Sequence, residues 1–379
     1  MIKMTPLREK SEINWSEKQV PRVAVVILNW KGWKDTIECL ESVYQINYPK
    51  YDILVVDNGS NDDSIRKITG YALGNVHVHS KFFKYTSVNK PIKIFDYDEG
   101  EYPTSSVQEY ESNMLPPNNK MILIRNKKNY GFAEGNNIAI RFALEKLNPD
   151  YILLLNNDTV VNNNFLLELI KAAETGPNIG VVGPKIYYYN FQGRTNIINF
   201  AGEDLIPWKS QGTRYGYKQV DKAQYDTIRS VDKIDGACML IKRDVLSRVG
   251  LLDSNLFLYW EETDFCVRAK KRGYHLLYVP TSMVWHKVPP SMGFYKPGTS
   301  YHFNKSRLIF INKNLKEMDK LKFLLYFLFY KLWLEIGCFL IPINIKALIL
   351  TTRGIVDGLK ILAVSSTPES NKKWLRKIN

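Results

Sequence analysis

Three carboxylates stand within four residues of one another in this 379-residue chain. Glu261, Glu262 and Asp264 follow two aromatic residues at a predicted helix start. Acids stabilise a helix N-terminus by roughly 0.3–1 kcal/mol, which explains some acidic residues here without any catalytic role. Clustered carboxylates also raise one another's pKa, which is how a general base is tuned. The cluster therefore predicts an acid–base group, with all three carboxylates as candidates.

A second polar cluster, Asn156-Asn157-Asp158-Thr159, follows a run of five apolar residues. A carboxylate beside amide side chains at the end of a buried strand is a usable site for a hard cation. Mg²⁺ usually keeps several waters and takes one or two protein carboxylates plus phosphate oxygens, a count that Asp158 fits. An asparagine-rich turn without any ligand explains the same four residues equally well.

Other single positions carry weaker signals. Asp57 follows a buried strand, where it could accept hydrogen bonds from a base or ribose, or simply cap a turn. A lone histidine such as His286 is more often structural than a ligand. Gly131 and Gly135 lack the G-x-G-x-x-G spacing of a dinucleotide site, although a ligand could approach a helix N-terminus there. The sequence has neither a G-x-x-x-x-G-K-[ST] loop nor a G-x-S-x-G elbow, which disfavours ATPases and α/β-hydrolases.

Strands alternate with helices through the first half of the chain. Apolar runs predict strands at residues 23–28, 53–56, 121–124 and 151–155, with helices at residues 33–45, 64–69 and 131–147. This alternation predicts an α/β fold with a doubly wound, mostly parallel sheet. Ligands of such sheets bind beyond the carboxyl ends of the strands, where Asp57 and Asp158 lie.

The rest of the chain is mixed. We expect strands at residues 181–189, 237–241 and 275–279, and a helix at residues 262–271. Residues 70–119 fit the alternation badly, and we predict an insertion on one sheet edge with a strand near residues 92–95. We predict an N-terminal extension at residues 1–20, a catalytic domain at residues 21–303, and a separate C-terminal region from Asn304 to residue 379.

Composition excludes some classes of protein. An apolar fraction of 45% is enough for a real core, so wholesale disorder is excluded. The four cysteines lie far apart without a Cys-x-x-Cys pair, and we expect reduced, buried thiols. Residues 1–20 are polar and lack the apolar run of a signal peptide. Together these features predict a location in the cytosol or on the cytosolic side of a membrane.

The C-terminal region combines charge with apolar residues. Residues 296–379 hold 15 Lys or Arg and 5 Asp or Glu, a net charge of +10 out of +14 for the whole chain. Residues 323–343 are apolar except for Lys331 and Glu335, a length that suits a bilayer span. Each ionisable residue opposes a span by about 2.5–3.5 kcal/mol. We favour interfacial helices on an anionic leaflet over a single span, a dimer contact or buried helices.

Short stretches between residues 22 and 313 form an ordered set that is more specific than any one of them. They are VVILNW from Val25, VVDNGS from Val55, NYGFA from Asn129, LLNNDT from Leu154, GACM from Gly236, WEETD from Trp260 and VWH from Val284. The set resembles the inverting glycosyltransferases of family 2, in their rhamnosyltransferase-like branch. The resemblance implies a GT-A fold, a nucleotide-sugar donor and a divalent cation, Mg²⁺ or Mn²⁺.

The resemblance also implies roles for the donor-binding residues. Asp57 would contact the nucleotide base, and Asp158 would coordinate the metal from the last place of a D-x-D-type motif. His286 would sit on the diphosphate or the metal. The other residues expected at the nucleotide sugar are Asn29, Asn58, Gly131, Phe132, Asn156 and Asn157.

The expected base departs from the family pattern. Glu262 stands where the family commonly has the second acid of Glu-Asp-x-Asp, so Glu261 and Asp264 remain alternatives. A second departure is Lys305-Ser306-Arg307, where the family often has Arg-Asn-Arg.

The sequence therefore predicts metal-dependent, inverting sugar transfer to a hydroxyl of a glycan or a polyprenyl-linked acceptor. The resemblance favours a dTDP- or UDP-linked donor, with rhamnose as one candidate sugar. We expect an anionic membrane surface as a partner and no nucleic acid, and a homodimer stays open. A sugar-nucleotide nucleotidyltransferase should have a Gly-rich, Arg-containing loop after the first strand, unlike the sequence NWKGW here. A non-catalytic basic module that binds membrane or nucleic acid should have lost the metal carboxylate, yet Asp158 is present.

Overall fold

The protein is built around a central sheet. The computed structural model describes residues 20–100, 114–288, 297–334 and 345–363. The parallel part of the sheet consists of five neighbouring strands that share one direction. In spatial order these are β3 (Lys93–Asp98), β4 (Lys120–Arg125), β2 (Tyr51–Asp57), β1 (Val23–Asn29) and β5 (Tyr151–Asn156). The predicted mostly parallel α/β sheet is confirmed.

Helices cover both faces of the parallel strands. The side chains of β1 alternate between two separate cores, with Val25 and Ile27 in one and Ala24 and Val26 in the other. Continuous apolar strands of this kind are typical of parallel sheets that are buried on both faces. The covering helices are α1 (Trp33–Val43), α2 (Ser64–Ala72), α3 (Gly131–Lys146) and α4 (Phe165–Ala173).

The second half of the sheet is mixed in direction. β13 (Cys238–Lys242) runs antiparallel to β5, and β7 (Ile179–Tyr188) runs antiparallel to β13. β14 (His275–His286) pairs in parallel with β7 and is longer than predicted, so His286 belongs to a strand. β14 also pairs antiparallel with β6 (Thr159–Val161), which sets His286 opposite Thr159. Two helices, α5 (Arg243–Val249) and α6 (Glu261–Lys271), lie between β13 and β14 in the sequence.

Several short strands in the region between residues 190 and 230 were not predicted. β9 (Glu203–Ile206) and β10 (Gln211–Arg214) form a separate antiparallel hairpin. Short, partly exposed strands have little apolar patterning, so periodicity does not reveal them. The others are β8 (Ile197–Phe200), β11 (Gln219–Val220) and β12 (Arg229–Ser230).

The predicted insertion divides into an edge strand and a loop that packs elsewhere. β3 lies at the sheet edge, as predicted near residues 92–95, whereas the preceding loop packs on α1. Glu41 of α1 is the anchor, because its carboxylate accepts hydrogen bonds from the Tyr71 hydroxyl at 2.8 Å and the Thr86 amide at 3.1 Å. The buried Lys90 ammonium lies 3.3 Å from the same carboxylate. Residues 101–113 of the predicted insertion lie outside the described residues.

The C-terminal helices pack on the sheet domain without a break at Asn304. α7 (Pro297–Asn314) runs through that predicted boundary, and α8 (Glu317–Tyr326) and a π-helical turn (Phe327–Lys331) follow. α9 (Ile345–Ala363) then packs on α7 through small residues. A Cβ at Gly354 would lie 2.5 Å from the Tyr301 carbonyl oxygen, and one at Gly358 would lie 2.7 Å from Leu308.

α7 packs against other elements through two of its faces. Tyr301 and Leu308 contact α9, whereas Phe303 and Phe310 contact Trp260 just before α6. Because a helix advances about 100° per residue, these two pairs lie on opposite faces of α7. α7 therefore forms a layer between α9 and the predicted catalytic acids.

None of the helices within the described ranges is long and apolar enough to span a membrane. The described part of the predicted apolar stretch over residues 323–343 begins in α8, continues through the π-helical turn and ends in one further helical segment at residues 332–334. Residues 335–343, including Glu335 and Cys338, lie outside the described residues. Cys39, Cys238 and Cys266 are buried free thiols, as expected.

The anchor of the insertion loop yields a stability prediction. Lys90→Met should lower the free energy of unfolding by about 3–5 kcal/mol, because it leaves the charge of Glu41 buried without its partner. The double variant Glu41→Gln/Lys90→Met should lose less, since no charge remains buried and the amide oxygen still accepts from Tyr71. Urea denaturation followed by circular dichroism measures both. A double variant less stable than Lys90→Met would contradict this account.

Candidate functional site

The carboxyl ends of the parallel strands bring predicted residues to one edge of the sheet. The strand register sets Asn29 opposite Asp57, and Leu28 opposite Asn156. The side-chain amide of Asn29 donates to Asp57 Oδ1 at 2.7 Å, and the backbone amide of Ser60 donates to Asp57 Oδ2 at 2.9 Å. Both Asn29 and Asp57 are buried, so these bonds fix the loops after β1 and β2.

Asn58 joins this edge to the start of α3. Its amide donates to Asn129 Oδ1 and to the Gly131 carbonyl, both at 3.0 Å, and its oxygen accepts from Asn126. Gly131 has a φ of +79°, and a Cβ there would lie 2.3 Å from the Phe257 carbonyl oxygen. Glycine is therefore required at this position. These contacts place Phe132 in the first turn of α3, at the same edge as Asp57.

Asp158 and His286 form a pair at the end of β5. Asp158 Oδ1 lies 3.0 Å from His286 Nε2, and the Asp158 side chain is 34% exposed. Burial would raise the pKa of Asp158, but the adjacent imidazole holds it below its ordinary value. Burial would likewise lower the pKa of His286, but Asp158 raises it. The pairing of β14 with β6 creates this contact between residues distant in sequence.

The pair offers ligands that a divalent cation accepts. The carboxylate of Asp158, in the turn after β5, can bind Mn²⁺ or Mg²⁺, and the imidazole of His286 on β14 can join it on a transition metal such as Mn²⁺, with waters and phosphate oxygens completing the shell. Among the described residues, no group of three or more His, Cys, Asp and Glu forms a full protein cage. Asn157 lies beside the pair, but its amide donates to Thr36 Oγ1 at 2.9 Å and ties the turn to α1.

The acidic turn before α6 has an unusual backbone. Tyr259 and Trp260 both have positive φ, at +67° and +72°. Such conformations cost roughly 1–3 kcal/mol for a non-glycine residue and need support from the surroundings. α7 provides it, because Trp260 packs on Phe310 at a ring distance of 5.0 Å and Ser306 Oγ donates to the Leu258 carbonyl at 3.0 Å. The turn therefore depends on α7.

The three acids of this turn have three different environments. Asp264 is buried and accepts from Arg268 at 2.7 Å and Asn314 at 2.8 Å, which ties α6 to α7. Burial raises the pKa of Glu261 well above its ordinary value, and the charge of Glu262 adds to this shift. Glu262 is partly exposed at 16%, and Lys233 Nζ lies 3.2 Å from its Oε1. Of the three, Glu262 is the one that combines exposure with an adjacent cation.

Glu262 lies close to the predicted donor-binding residues. A Cβ at Gly236 would lie 3.5 Å from Glu262 Cβ and 3.8 Å from the Phe132 ring. Gly236 belongs to the loop before β13, and its neighbour Ala237 accepts a hydrogen bond from the Asn156 amide at 2.9 Å. The first turns of α3 and α6 and the end of β5 therefore meet at this loop. Asp264 and Asn58 instead hold the surrounding elements together.

Sequence reasoning missed several charged residues of the site. Asp235 stands directly before the Gly236 stretch, and Arg214 of β10 lies 2.8 Å from its carboxylate. The charge of Asp235 also acts on His286, so this ion pair lies near the metal candidates. Its position directly before the stretch GACM could have indicated Asp235. Arg214 and Lys233 had no signal, because the unpredicted hairpin and the loop before β13 bring them in.

Trp30 is a further missed residue at this edge. It follows Asn29 directly, and it is 51% exposed, whereas Asn29 and Asp57 are buried. An exposed indole beside a buried carboxylate offers a flat surface for stacking. Trp30 is the last residue of the stretch VVILNW from Val25, a position that could have indicated it.

Curated relatives of known name match parts of the chain. A 148-residue segment is 28% identical to the low-salt glycan biosynthesis hexosyltransferase Agl10 of Haloferax volcanii, covering 39% of this chain and 46% of that protein. Over 246 residues the chain is 24% identical to the N-acetylglucosaminyl-diphospho-decaprenol L-rhamnosyltransferase of Mycobacterium tuberculosis, covering 59% of this chain and 76% of the relative. Rhamnosyltransferase WbbL of Escherichia coli is 29% identical over 171 residues, covering 41% and 61%. The match to the first of these thus spans about half of that relative's length.

The fold and the sequence family agree. The crystal structure of GalNAc-T7 with UDP, GalNAc and Mn²⁺ superposes with a TM-score of 0.50 at 16% identity, covering 76% of this chain and 48% of that one, which supports the predicted GT-A fold. The family described as "Glycosyl transferase family 2" matches residues 23–86. The family described as "Glycosyltransferase like family 2" matches residues 106–297, about half of the chain. The chain belongs to glycosyltransferase family 2.

Proposed function

We propose that the protein is a metal-dependent, inverting glycosyltransferase. It moves a sugar from a nucleoside-diphosphate donor to a hydroxyl of a glycan or a lipid-linked acceptor. The observation that carries this proposal is the convergence of two groups at one sheet edge, the Asp158–His286 pair and the carboxylate of Glu262. Family membership counts against the alternatives of a nucleotidyltransferase and a non-catalytic binding module.

Glu262 is the general base in this proposal. The acceptor hydroxyl gives its proton to the Glu262 carboxylate while its oxygen attacks the anomeric carbon of the donor sugar. The bond from that carbon to the diphosphate oxygen breaks, and the nucleoside diphosphate leaves. One displacement inverts the configuration, and no second carboxylate is needed for a covalent sugar intermediate.

Asp158 and His286 hold the divalent cation, Mg²⁺ or Mn²⁺. When bound, the cation neutralises the charge that develops on the departing diphosphate. The exposure of Asp158 and the proximity of His286 support this assignment. Asn156 and Asn157 shape the turn beside the pair, and Phe132 and Gly131 at the start of α3 approach the donor from the Glu262 side.

The nucleotide lies toward β1 and β2. Asn29, Asp57 and Asn58 build this end of the site through their mutual hydrogen bonds, with Asp57 as the carboxylate nearest the base. Trp30 supplies the exposed ring. Three relatives, two named as rhamnosyltransferases and one as a hexosyltransferase, support rhamnose or another hexose as the sugar. The carrier in this proposal is dTDP or UDP, as the family resemblance implies.

The acceptor is lipid-linked and the protein lies on the cytosolic face of a membrane. One relative's name specifies a diphospho-decaprenol substrate, which supports this class of acceptor. α8 and the segment after it expose large apolar side chains, as α9 does on the face away from α7. These are Leu321, Leu324, Leu325, Leu328, Phe329, Tyr330, Trp333 and Leu334, followed by Ile345, Ile349, Val356 and Leu359.

Cations accompany this apolar surface. Arg353 and Lys360 of α9 are largely exposed, with side-chain accessibilities of 71% and 75%. Apolar burial gives an interfacial helix its affinity, and each cation close to an anionic leaflet adds about 1 kcal/mol. The pattern fits helices that lie on a membrane surface.

The assignment of the base predicts a specific loss of turnover. Glu262→Gln should lower kcat for donor hydrolysis or transfer by roughly 10²–10⁴-fold, because the amide cannot take the proton. The donor KM should change little. Glu261→Gln is the matched control, and it should keep most of kcat because Glu261 is buried. If Glu261→Gln loses turnover and Glu262→Gln does not, the base is Glu261.

The metal assignment predicts that activity and cation binding are lost together. Asp158→Ala should lower transfer by at least about 100-fold, since the charge on the leaving group is no longer neutralised. Titration calorimetry with Mn²⁺ in the presence of UDP or dTDP should show weaker cation binding. Asp63→Ala removes an exposed carboxylate of the α2 cap and should leave both unchanged. Full activity of Asp158→Ala in EDTA would end the metal assignment.

The membrane assignment is tested by reversing the apolar character of the surface. The full chain should sediment with phosphatidylglycerol vesicles, and salt should weaken this binding only in part. Phe329→Glu/Trp333→Glu alters side chains that are 77% and 65% exposed, so the fold should survive while sedimentation is lost. Val88→Glu, at a residue 91% exposed outside the C-terminal helices, is the control. A wild-type protein that ignores the vesicles would contradict the assignment.

A further inference from the structure

Lys233 lies between two carboxylates at the edge of the site. Its Nζ is 3.2 Å from Glu262 Oε1 and 3.5 Å from Glu203 Oε2. The Lys233 side chain is only 15% exposed, unlike an ordinary surface lysine. No sequence motif identified this residue, and the steps proposed above do not use it.

The fold fixes the backbone of Lys233 on both sides. Its own amide donates to the Glu203 carbonyl at 3.0 Å, which attaches this loop to β9. The next residue, Ile234, is fully buried, and its amide donates to Cys266 Sγ at 3.5 Å. Cys266 belongs to α6, the helix that carries Glu262 in its first turn, so Lys233 and the Glu262 carboxylate are fixed relative to the same helix.

The electrostatic surroundings keep Lys233 charged. Burial would lower the pKa of Lys233, but the negative charges of Glu203 and Glu262 raise it above its ordinary value. Arg214 opposes this effect and Asp235 adds to it. The titratable groups on which these charges act in turn are Glu261 and Cys266, which both Glu262 and Lys233 influence, and Tyr259, which Glu262 influences.

We propose that Lys233 is a positioning residue for Glu262, whose carboxylate it holds in one orientation. Within the described part of the chain, the other side-chain contact of the Glu262 carboxylate is a 3.4 Å hydrogen bond from Thr263 Oγ1. A glutamate side chain has several rotatable bonds, so a fixed ammonium removes alternatives that point away from the acceptor. The inference rests on the proposed function, since it assigns a partner to the proposed base.

A purely structural role is the alternative. Lys233 would then join the β9–β10 hairpin to α6 through Glu203 and Glu262 and have no influence on proton transfer. The two roles differ in what they affect. A structural bridge contributes to stability, whereas a positioning residue changes turnover and its dependence on pH at constant donor binding.

The test compares Lys233→Met with Lys233→Arg in the full-length protein. The reaction is hydrolysis of dTDP-rhamnose, UDP-glucose, UDP-N-acetylglucosamine and GDP-mannose, with Mn²⁺ present and water as the acceptor. For the donor that wild type cleaves best, Lys233→Met should lower kcat by about 10-fold or more with KM within about twofold. The acidic limb of the pH profile should move to higher pH, because a carboxylate without an adjacent cation keeps its proton longer. Lys233→Arg should restore most of kcat.

Glu203→Gln separates the two roles. It removes the contact between Lys233 and the hairpin and leaves the Lys233–Glu262 contact in place. We therefore expect kcat within about threefold of the wild-type value and no shift of the acidic limb to higher pH. Equal losses in Glu203→Gln and Lys233→Met would overturn the inference in favour of the structural bridge. So would a Lys233→Met profile that superposes on that of wild type.

Failure of this inference can be told apart from failure of the proposed function. If Glu262→Gln is inactive and Lys233→Met is normal, the base stands and the positioning role of Lys233 is wrong. If Glu262→Gln retains full turnover, or wild type cleaves none of the four donors, the proposed function fails and the inference fails with it.

Discussion

The parallel register of β1 with its two neighbours is the constraint on which the site depends. Because Asn29 lies opposite Asp57 and Leu28 lies opposite Asn156, three strands end at the same level. A shift of one residue in any of them would send alternate side chains to the opposite face and separate the polar ends. The two apolar cores on either side of the sheet hold this register, because the Val25 side chain packs in one core and the Val26 side chain packs in the other.

The acidic turn depends on a second constraint from outside the sheet. Two successive residues with positive φ, Tyr259 and Trp260, place α6 at the sheet edge, and such a backbone is not stable by itself. The aromatic packing of α7 and the bonds from Asp264 to Arg268 and Asn314 keep it there. The proposed donor site and the proposed base thus depend on different layers of the molecule, which meet at Gly236.

The parallel strands and the polar residues at their ends could be predicted from the sequence, because both have strong local signals. Continuous apolar runs define β1, β2 and β5, and polar clusters at Asp57 and Asp158 mark where they end. The strand pairing that brings Asp158 to His286 has no local signal, since it requires a strand longer than expected and a register between distant segments. Only the family resemblance implied that both residues lie at the metal or the diphosphate. The same limit applies to Arg214, which a hairpin of weak apolar pattern brings to the site.

The acids show a different limit. Their spacing predicts a carboxylate cluster, but local sequence does not say which member is sequestered. One partner of Asp264, Asn314, comes from α7, fifty positions further along the chain, and Lys233 comes from the loop before β13. A boundary predicted near Asn304 overlooked that α7 belongs to the support of the site.

The small residues of α9 set a distance. With Gly354 and Gly358 against α7, the two helices approach closely, and the opposite face of α7 touches the turn that carries Glu262. The outer face of α9 therefore lies about two helix diameters, roughly 20 Å, from the proposed base. On a membrane-bound enzyme this thickness would set the height of the proposed base above the lipid surface. It would favour acceptor hydroxyls raised above the lipid by a diphosphate and a first sugar over hydroxyls at the level of the headgroups.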